Sequence, residues 1–174
     1  MAIVNGENGS CAICPNDWRF SYSEFTAQKY GRHNKNVLQK VYDAKEESDL
    51  PSVVLKQFKG RDYGFVYKDE YIAIFYDVYQ DMATHLLMLP VKHIERFDIL
   101  KYPDILMRMY CAGNSIIKLA DFEECYISVS SKQTDYVPHF HMHVQSKNES
   151  TFEGLKNLLY PYFYEDSEFF ISSQ

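Results

Sequence analysis

Residues Val137-Pro138-His139-Phe140-His141-Met142-His143-Val144-Gln145 set three histidines in alternation with Phe, Met and Val. A strand has a side-chain period of two, so His139, His141 and His143 share one face. Phe140, Met142 and Val144 take the other face, which suits a core. Half of the chain's six histidines stand in this row. Neutral imidazoles can ligate a metal, attack an electrophile or move a proton. At about 3.3 Å per residue, His139 and His143 lie roughly 13 Å apart, too far to ligate one ion together. The row therefore reads as a line of separate tasks rather than a three-histidine cage.

The second group of chemical interest is Cys11-x-x-Cys14. On its own this pair is open between a metal knuckle, a redox pair and coincidence. The redox reading needs a βαβ context, which the surrounding residues do not offer.

The chain has 174 residues, 46% hydrophobic and 16% aromatic, enough for one domain with a real core. Its net charge of −6 argues against a general nucleic-acid binder but leaves room for a small anion in a local site. No apolar run reaches the roughly 20 residues of a membrane span. Met1 to Glu7 lack the basic start and apolar centre of a signal peptide. The expectation is a soluble, cytoplasmic protein whose four cysteines are thiols or metal ligands.

The elements that must position these groups follow from pattern. Residues 1–10 are polar, and 16–60 are charged with scattered aromatics. Asn36 to Tyr42 suit a short helix, and Pro51 marks a break. His33 reads as a solvated surface residue. Gly64 to Lys68 and Tyr71 to Tyr76 are rich in β-formers, with a turn at Lys68-Asp69-Glu70. Thr84 to Pro90 is a third strand, almost wholly apolar and therefore central. A helix starts near Pro103 and keeps helical spacing to about Phe122. Tyr126 to Val129 form a fourth strand, and the histidine row forms the fifth. Phe152 to Leu159 suit a C-terminal helix closed by Pro161. Strands joined by short turns, with one main helix set apart, predict an antiparallel α+β domain of about five strands.

Three stretches together resemble the histidine triad (HIT) superfamily of nucleotide hydrolases and transferases. They are the His139-x-His141-x-His143 row, the block from Phe75-Tyr76-Asp77-Val78 through Thr84-His85 to Pro90-Val91-Lys92-His93, and Cys11-x-x-Cys14. The resemblance covers roughly residues 63–146. It implies a single HIT-like domain over 1–174, with residues 15–60 as an insertion and 147–174 as a C-terminal extension.

The resemblance also implies roles. His141 matches the nucleophile that attacks the α-phosphorus of a nucleotide and forms a covalent nucleotidyl-histidine. His143 matches the group that contacts the phosphate or the leaving group. His139 and His85 match supporting histidines. Asp77 matches the acid that holds the ribose hydroxyls, and Phe75, Tyr76 and Val78 the lining of the nucleoside pocket. Ser128 or Ser130 stands where a polar phosphate contact is expected. One branch, which includes galactose-1-phosphate uridylyltransferases, carries structural zinc on positions that here are Cys11, Cys14, His93 and His139. Two thiolates and two imidazoles suit tetrahedral Zn²⁺. The resemblance further implies a homodimer and a small nucleotide substrate.

The sequence departs from the superfamily just before the row. Asp135 and Tyr136 occupy positions where many members have a phosphate-binding amide and hydroxyl. Two classes of function follow. One is a nucleotidyl hydrolase or transferase working through His141, on phosphoramidates or dinucleoside polyphosphates. The other is a catalytically weak nucleotide- and zinc-binding module. His143 speaks against the uridylyl type, where Gln usually takes the third place.

Overall fold

β3 (Thr84–Pro90) lies at the middle of the sheet and is buried along nearly its whole length. The computed structural model describes residues 11, 14–30, 35–58, 65–77, 82–129 and 139–165. Its strands are β1 (Phe65–Lys68), β2 (Ile72–Tyr76), β3, β4 (Cys125–Ser128) and β5 (Met142–Ser146). They form one antiparallel sheet in the order β1-β2-β3-β5-β4. The helices are α1 (Phe20–Tyr30), α2 (Lys35–Asp43), α3 (Ser52–Gln57), α4 (Pro103–Leu119) and α5 (Phe152–Glu165). This is the expected α+β architecture, five strands with one main helix and a C-terminal helix.

Strand alternation divides the sheet into two faces. Ile72, Ile74, Leu86, Met88, Met142 and Val144 point to α4, whose Met109, Ala112 and Ile116 complete the main core. Fully burying one such side chain contributes about 1.5–3 kcal/mol. Gly113 lets α4 approach closely, because a Cβ there would meet Ile127 and Met88 at 3.0 Å. Pro103 takes the first turn of α4, where a missing N–H costs nothing. The opposite face carries Phe75, His85, Leu87, Leu89 and His143. Its β1–β2 end is covered by Phe20 of α1, which stacks on Phe65 at 4.4 Å and meets Phe75 edge-on at 5.0 Å.

The described residues between 16 and 58, hard to read as a sequence, include three helices and a 3-10 turn around a small core of Phe25, Val41, Ala44, Leu50 and Val54. The expected helix near 36–42 is α2, and Pro51 precedes α3. Arg19 is buried and joins this layer together. It donates to both carboxylate oxygens of Asp17, at 2.8 and 2.6 Å, and to the carbonyl of Tyr42.

Two expectations need correction. The fifth strand does not run through the whole histidine row. Regular pairing begins at Met142, opposite Met88. That register would set Phe140 opposite Pro90, the last residue of β3, but residues 139–140 pair instead with the turn beyond it. Glu95 bridges His139, and Phe140 N–H donates to the carbonyl of Ile94 at 2.8 Å. Second, Pro161 lies inside α5 and does not close it. A proline there removes one backbone bond. The helix is held by packing just before it, with Leu155 and Leu159 buried and Tyr160 against Tyr67. Val78, Ser130, Asp135, Tyr136 and His33 lie outside the described residues.

Candidate active site and metal centre

The histidine row serves two separate groups. His139 is fully buried and turns toward the N-terminal cysteines. Its Nδ1 lies 3.4 Å from Cys14 Sγ and 3.7 Å from Cys11 Sγ, and His93 Nδ1 lies 3.3 Å from Cys14 Sγ. Four single-atom donors from Cys11, Cys14, His93 and His139 thus fall within 4.8 Å of one another and could hold a metal ion.

The donor set can be tested against tetrahedral geometry. Zn–S of about 2.3 Å and Zn–N of about 2.0–2.1 Å put neighbouring S and N atoms about 3.5 Å apart. The three S···N separations straddle that value. The tautomer agrees as well. His139 Nε2 lies 2.9 Å from the carbonyl of Pro90, which can only accept. Nε2 therefore carries the proton, and Nδ1, facing the sulfurs, keeps its lone pair. Cys11 beside it, with burial second, pushes the Cys14 thiol far above the usual range. Two adjacent thiols resist ionising together, and a divalent cation reverses that preference.

Local backbone shapes the knuckle. Cys14 N–H donates to Cys11 at 3.0 Å, and Asp17 N–H to Cys14 at 2.9 Å. Lys68 Nζ reaches the Pro15 carbonyl at 3.1 Å and Asn16 Oδ1 at 2.9 Å, tying the knuckle to β1. The half-exposed His93 has Glu95 3.7 Å from its Nε2.

The second group is built by three adjacent strands. Asp77 continues β2 and donates its N–H to the carbonyl of His85 at 2.9 Å, so the two stand opposite. His143 pairs with Leu87, one diagonal step from His85 on the same face. The result is Asp77 Oδ2 at 3.3 Å from His85 Nε2, and His85 Nε2 at 2.8 Å from His143 Nδ1. Asp77 and His85 are buried, whereas His143 is partly open. Each of the three also offers an atom of a kind that ligates metals. However, two imidazole nitrogens on one tetrahedral ion stand about 3.3 Å apart. A separation of 2.8 Å is a hydrogen bond.

His141 lies between the groups, half-buried, its ring centroid 5.1 Å from that of His143. Its Nδ1 is 2.9 Å from the carbonyl of His139. Nδ1 therefore holds the proton and Nε2 the lone pair.

The other expected residues divide by face. Ser128 is exposed on the edge strand β4, directly across from His143. Phe75 is on the site face but buried beneath Phe20. Tyr76 points the other way, against the main core, with its hydroxyl 2.6 Å from Ser150 Oγ.

Sequence reading missed Glu24. α1 carries it one turn after Phe20, on the helix face turned to the sheet. Glu24 is buried, and its Oε2 has no hydrogen-bond partner among the described residues. Burial, and then the charge of Asp77, hold its carboxyl well above the ordinary range. The signal was faint: a single acid among aromatics in a stretch with no recognisable motif.

Comparison with known families defines the class. The family described as "Scavenger mRNA decapping enzyme C-term binding" matches residues 52–157, more than half of the chain. The chain belongs to this family, within the histidine triad superfamily. Among solved structures, a histidine triad protein from Clostridium difficile is 25% identical, with a TM-score of 0.43 over 51% of this chain and 82% of that one. A HIT family hydrolase from Legionella pneumophila is 22% identical, with a TM-score of 0.45 over 51% and 84%. A zinc-bound histidine triad family protein from Mycobacterium smegmatis is 20% identical, with a TM-score of 0.44 over 58% and 84%. A search of curated proteins returns no significant match. No helix among the described residues is long and apolar enough to cross a membrane.

Proposed function

We propose that the protein is a nucleotidyl hydrolase or transferase acting at the α-phosphate of a small nucleotide, with His141 as nucleophile. The observation that carries this reading is the 2.9 Å contact between His141 Nδ1 and the His139 carbonyl. It fixes the tautomer needed for attack without a prior proton transfer. In the first step His141 Nε2 forms a bond to phosphorus, and the bond from phosphorus to the leaving group breaks, its electron pair departing with that group. The ring, still protonated at Nδ1, becomes cationic, and the His139 carbonyl stabilises it. Water, or another acceptor, then attacks phosphorus, loses its proton to solvent, and returns the electron pair to Nε2.

His143 would donate to the phosphate from its outer nitrogen, with Ser128 across the ladder. Asp77 would accept from the ribose, and Phe75, buried beneath Phe20, would back the nucleoside pocket from behind that ring. Tyr76 is better read as a core residue. Membership of a family described by an mRNA decapping enzyme favours a dinucleoside polyphosphate of the mRNA-cap kind over a phosphoramidate. Asp135 and Tyr136 motivate the second reading, a weakly catalytic nucleotide-binding module. Detecting a nucleotidyl adduct on His141 separates the two.

Cys11, Cys14, His93 and His139 would hold one structural Zn²⁺. The ion would fix the strand segment that presents the His139 carbonyl, and it supplies no step of the reaction. The exposed apolar residues Phe97, Leu100, Met107 and Tyr110 support a homodimer. Thiolate metal ligands at Cys11 and Cys14 suit a reducing compartment such as the cytoplasm.

A further inference from the structure

His141 and His143 are two residues apart, yet different partners set their ring protons. For His141 the partner is a carbonyl, and the outcome is fixed: a proton on Nδ1 and a lone pair on Nε2. For His143 the partner is another imidazole. His143 Nδ1 and His85 Nε2 are 2.8 Å apart, so one proton lies between them on one of the two nitrogens. If His143 owned it, His143 would turn a lone pair toward the substrate and repel phosphate. If His85 owned it, His143 would offer an N–H.

Asp77 distinguishes the two arrangements. Its Oδ2 is 3.3 Å from His85 Nε2 but 3.9 Å from His143 Nδ1. A carboxylate favours the N–H nearer to it, and in this buried setting the preference is strengthened. We propose that Asp77, acting through His85, holds neutral His143 in the tautomer with Nδ1 bare and Nε2 protonated. The nucleophile and its neighbour then stand in opposite tautomers, one offering a lone pair and the other a hydrogen bond to the phosphate oxygens. Asp77 is a positioning residue in this arrangement, in addition to any contact with ribose. Its catalytic consequence rests on the nucleotidyl-transfer reading above; the tautomer itself does not. Electrostatic donors aimed at developing charge are worth roughly 10²–10³-fold in turnover.

The test is nitrogen NMR of the full-length protein labelled with ¹⁵N-histidine. It is recorded about two pH units above the ordinary imidazole value near 6.5. The expected result is protonated Nδ1 at His141 and protonated Nε2 at His143, with Asp77→Ala mixing the His143 tautomers only. A wild-type His143 protonated at Nδ1, or at both nitrogens, would overturn the proposal even if the variant failed to fold. So would a folded Asp77→Ala protein with an unchanged His143 signal. Kinetics supply a second arm. Asp77→Asn should lower kcat about equally on a dinucleoside polyphosphate and on its 2′,3′-dideoxy analogue. A role confined to ribose would instead raise KM for the ribose substrate alone and leave the dideoxy substrate untouched. Absence of any hydrolase activity would count against the functional reading while leaving the spectrum decisive for the tautomers.

Discussion

His141 Nδ1 sits 2.9 Å from the carbonyl oxygen of His139, the residue whose ring faces Cys11 and Cys14. The backbone of one histidine fixes the tautomer of the next, while its side chain belongs to the metal group. The prospective nucleophile and the prospective zinc centre are therefore mechanically joined. Disturbing the cysteines should reach His141 through a single residue.

Zinc is the first prediction. Elemental analysis of protein purified without added metal should give about one Zn²⁺ per chain, because the S···N separations match a tetrahedral ion. Chelation should lower Tm, since binding is coupled to folding. Each kcal/mol lost moves Tm by about 2–4 °C in a chain of this size. A metal-free protein of undiminished stability would refute the site.

Cys14→Ser should lower turnover as well as stability, although Cys14 touches no substrate in this scheme. The altered site frees the His139 segment and with it the carbonyl that holds His141. Steady-state kinetics on folded variant at low temperature would show a fall in kcat. Unchanged kcat would uncouple the two groups.

Glu24 gives a pH prediction. Its folded pKa lies above its unfolded one, so between the two values the native state binds more protons. Its stabilising contribution is complete below the ordinary glutamate range and fades as pH rises through the raised folded value. Glu24→Gln removes the charge that burial penalises. It should flatten that decline and make the protein more stable than the wild type near neutrality. Urea titrations at several pH values measure it, and parallel pH profiles for both proteins would contradict it.

Assembly is tested by light scattering across the micromolar range. A dimer is expected, and Met107→Glu together with Tyr110→Glu should weaken it by placing charges on an exposed apolar face of α4. A strict monomer at every concentration would exclude it.

Much of the fold was legible because its strands are short, β-rich and bounded by turn residues. Thr84–Pro90 could be placed centrally from its apolar run alone, and Pro103 announced α4. Alternation also assigned Phe140, Met142 and Val144 to the core, where they are buried. The break in β5 was not legible, because it depends on partners far along the chain. Nothing in His139-Phe140-His141 says that Ile94 and Glu95 will pair there in place of β3. α1 was obscured because it is amphipathic only weakly and buries the charged Glu24 among aromatics, with Arg19 buried just before it. Asp77 was legible as a site residue but not as a neighbour of His143, since that contact is a diagonal across three strands.

The most direct measurement is single-turnover reaction of the zinc-loaded protein with a dinucleoside polyphosphate, quenched in alkaline denaturant and mapped by mass spectrometry. The prediction is a nucleoside monophosphate on His141 that forms and decays within one turnover. His141→Ala should lose the adduct and several orders of magnitude in rate. His143→Ala should keep a slower adduct, with a loss of roughly 10²–10³-fold, the worth of one electrostatic donor. Near-normal turnover by His141→Ala, or an adduct on any other residue, would contradict His141 as the nucleophile.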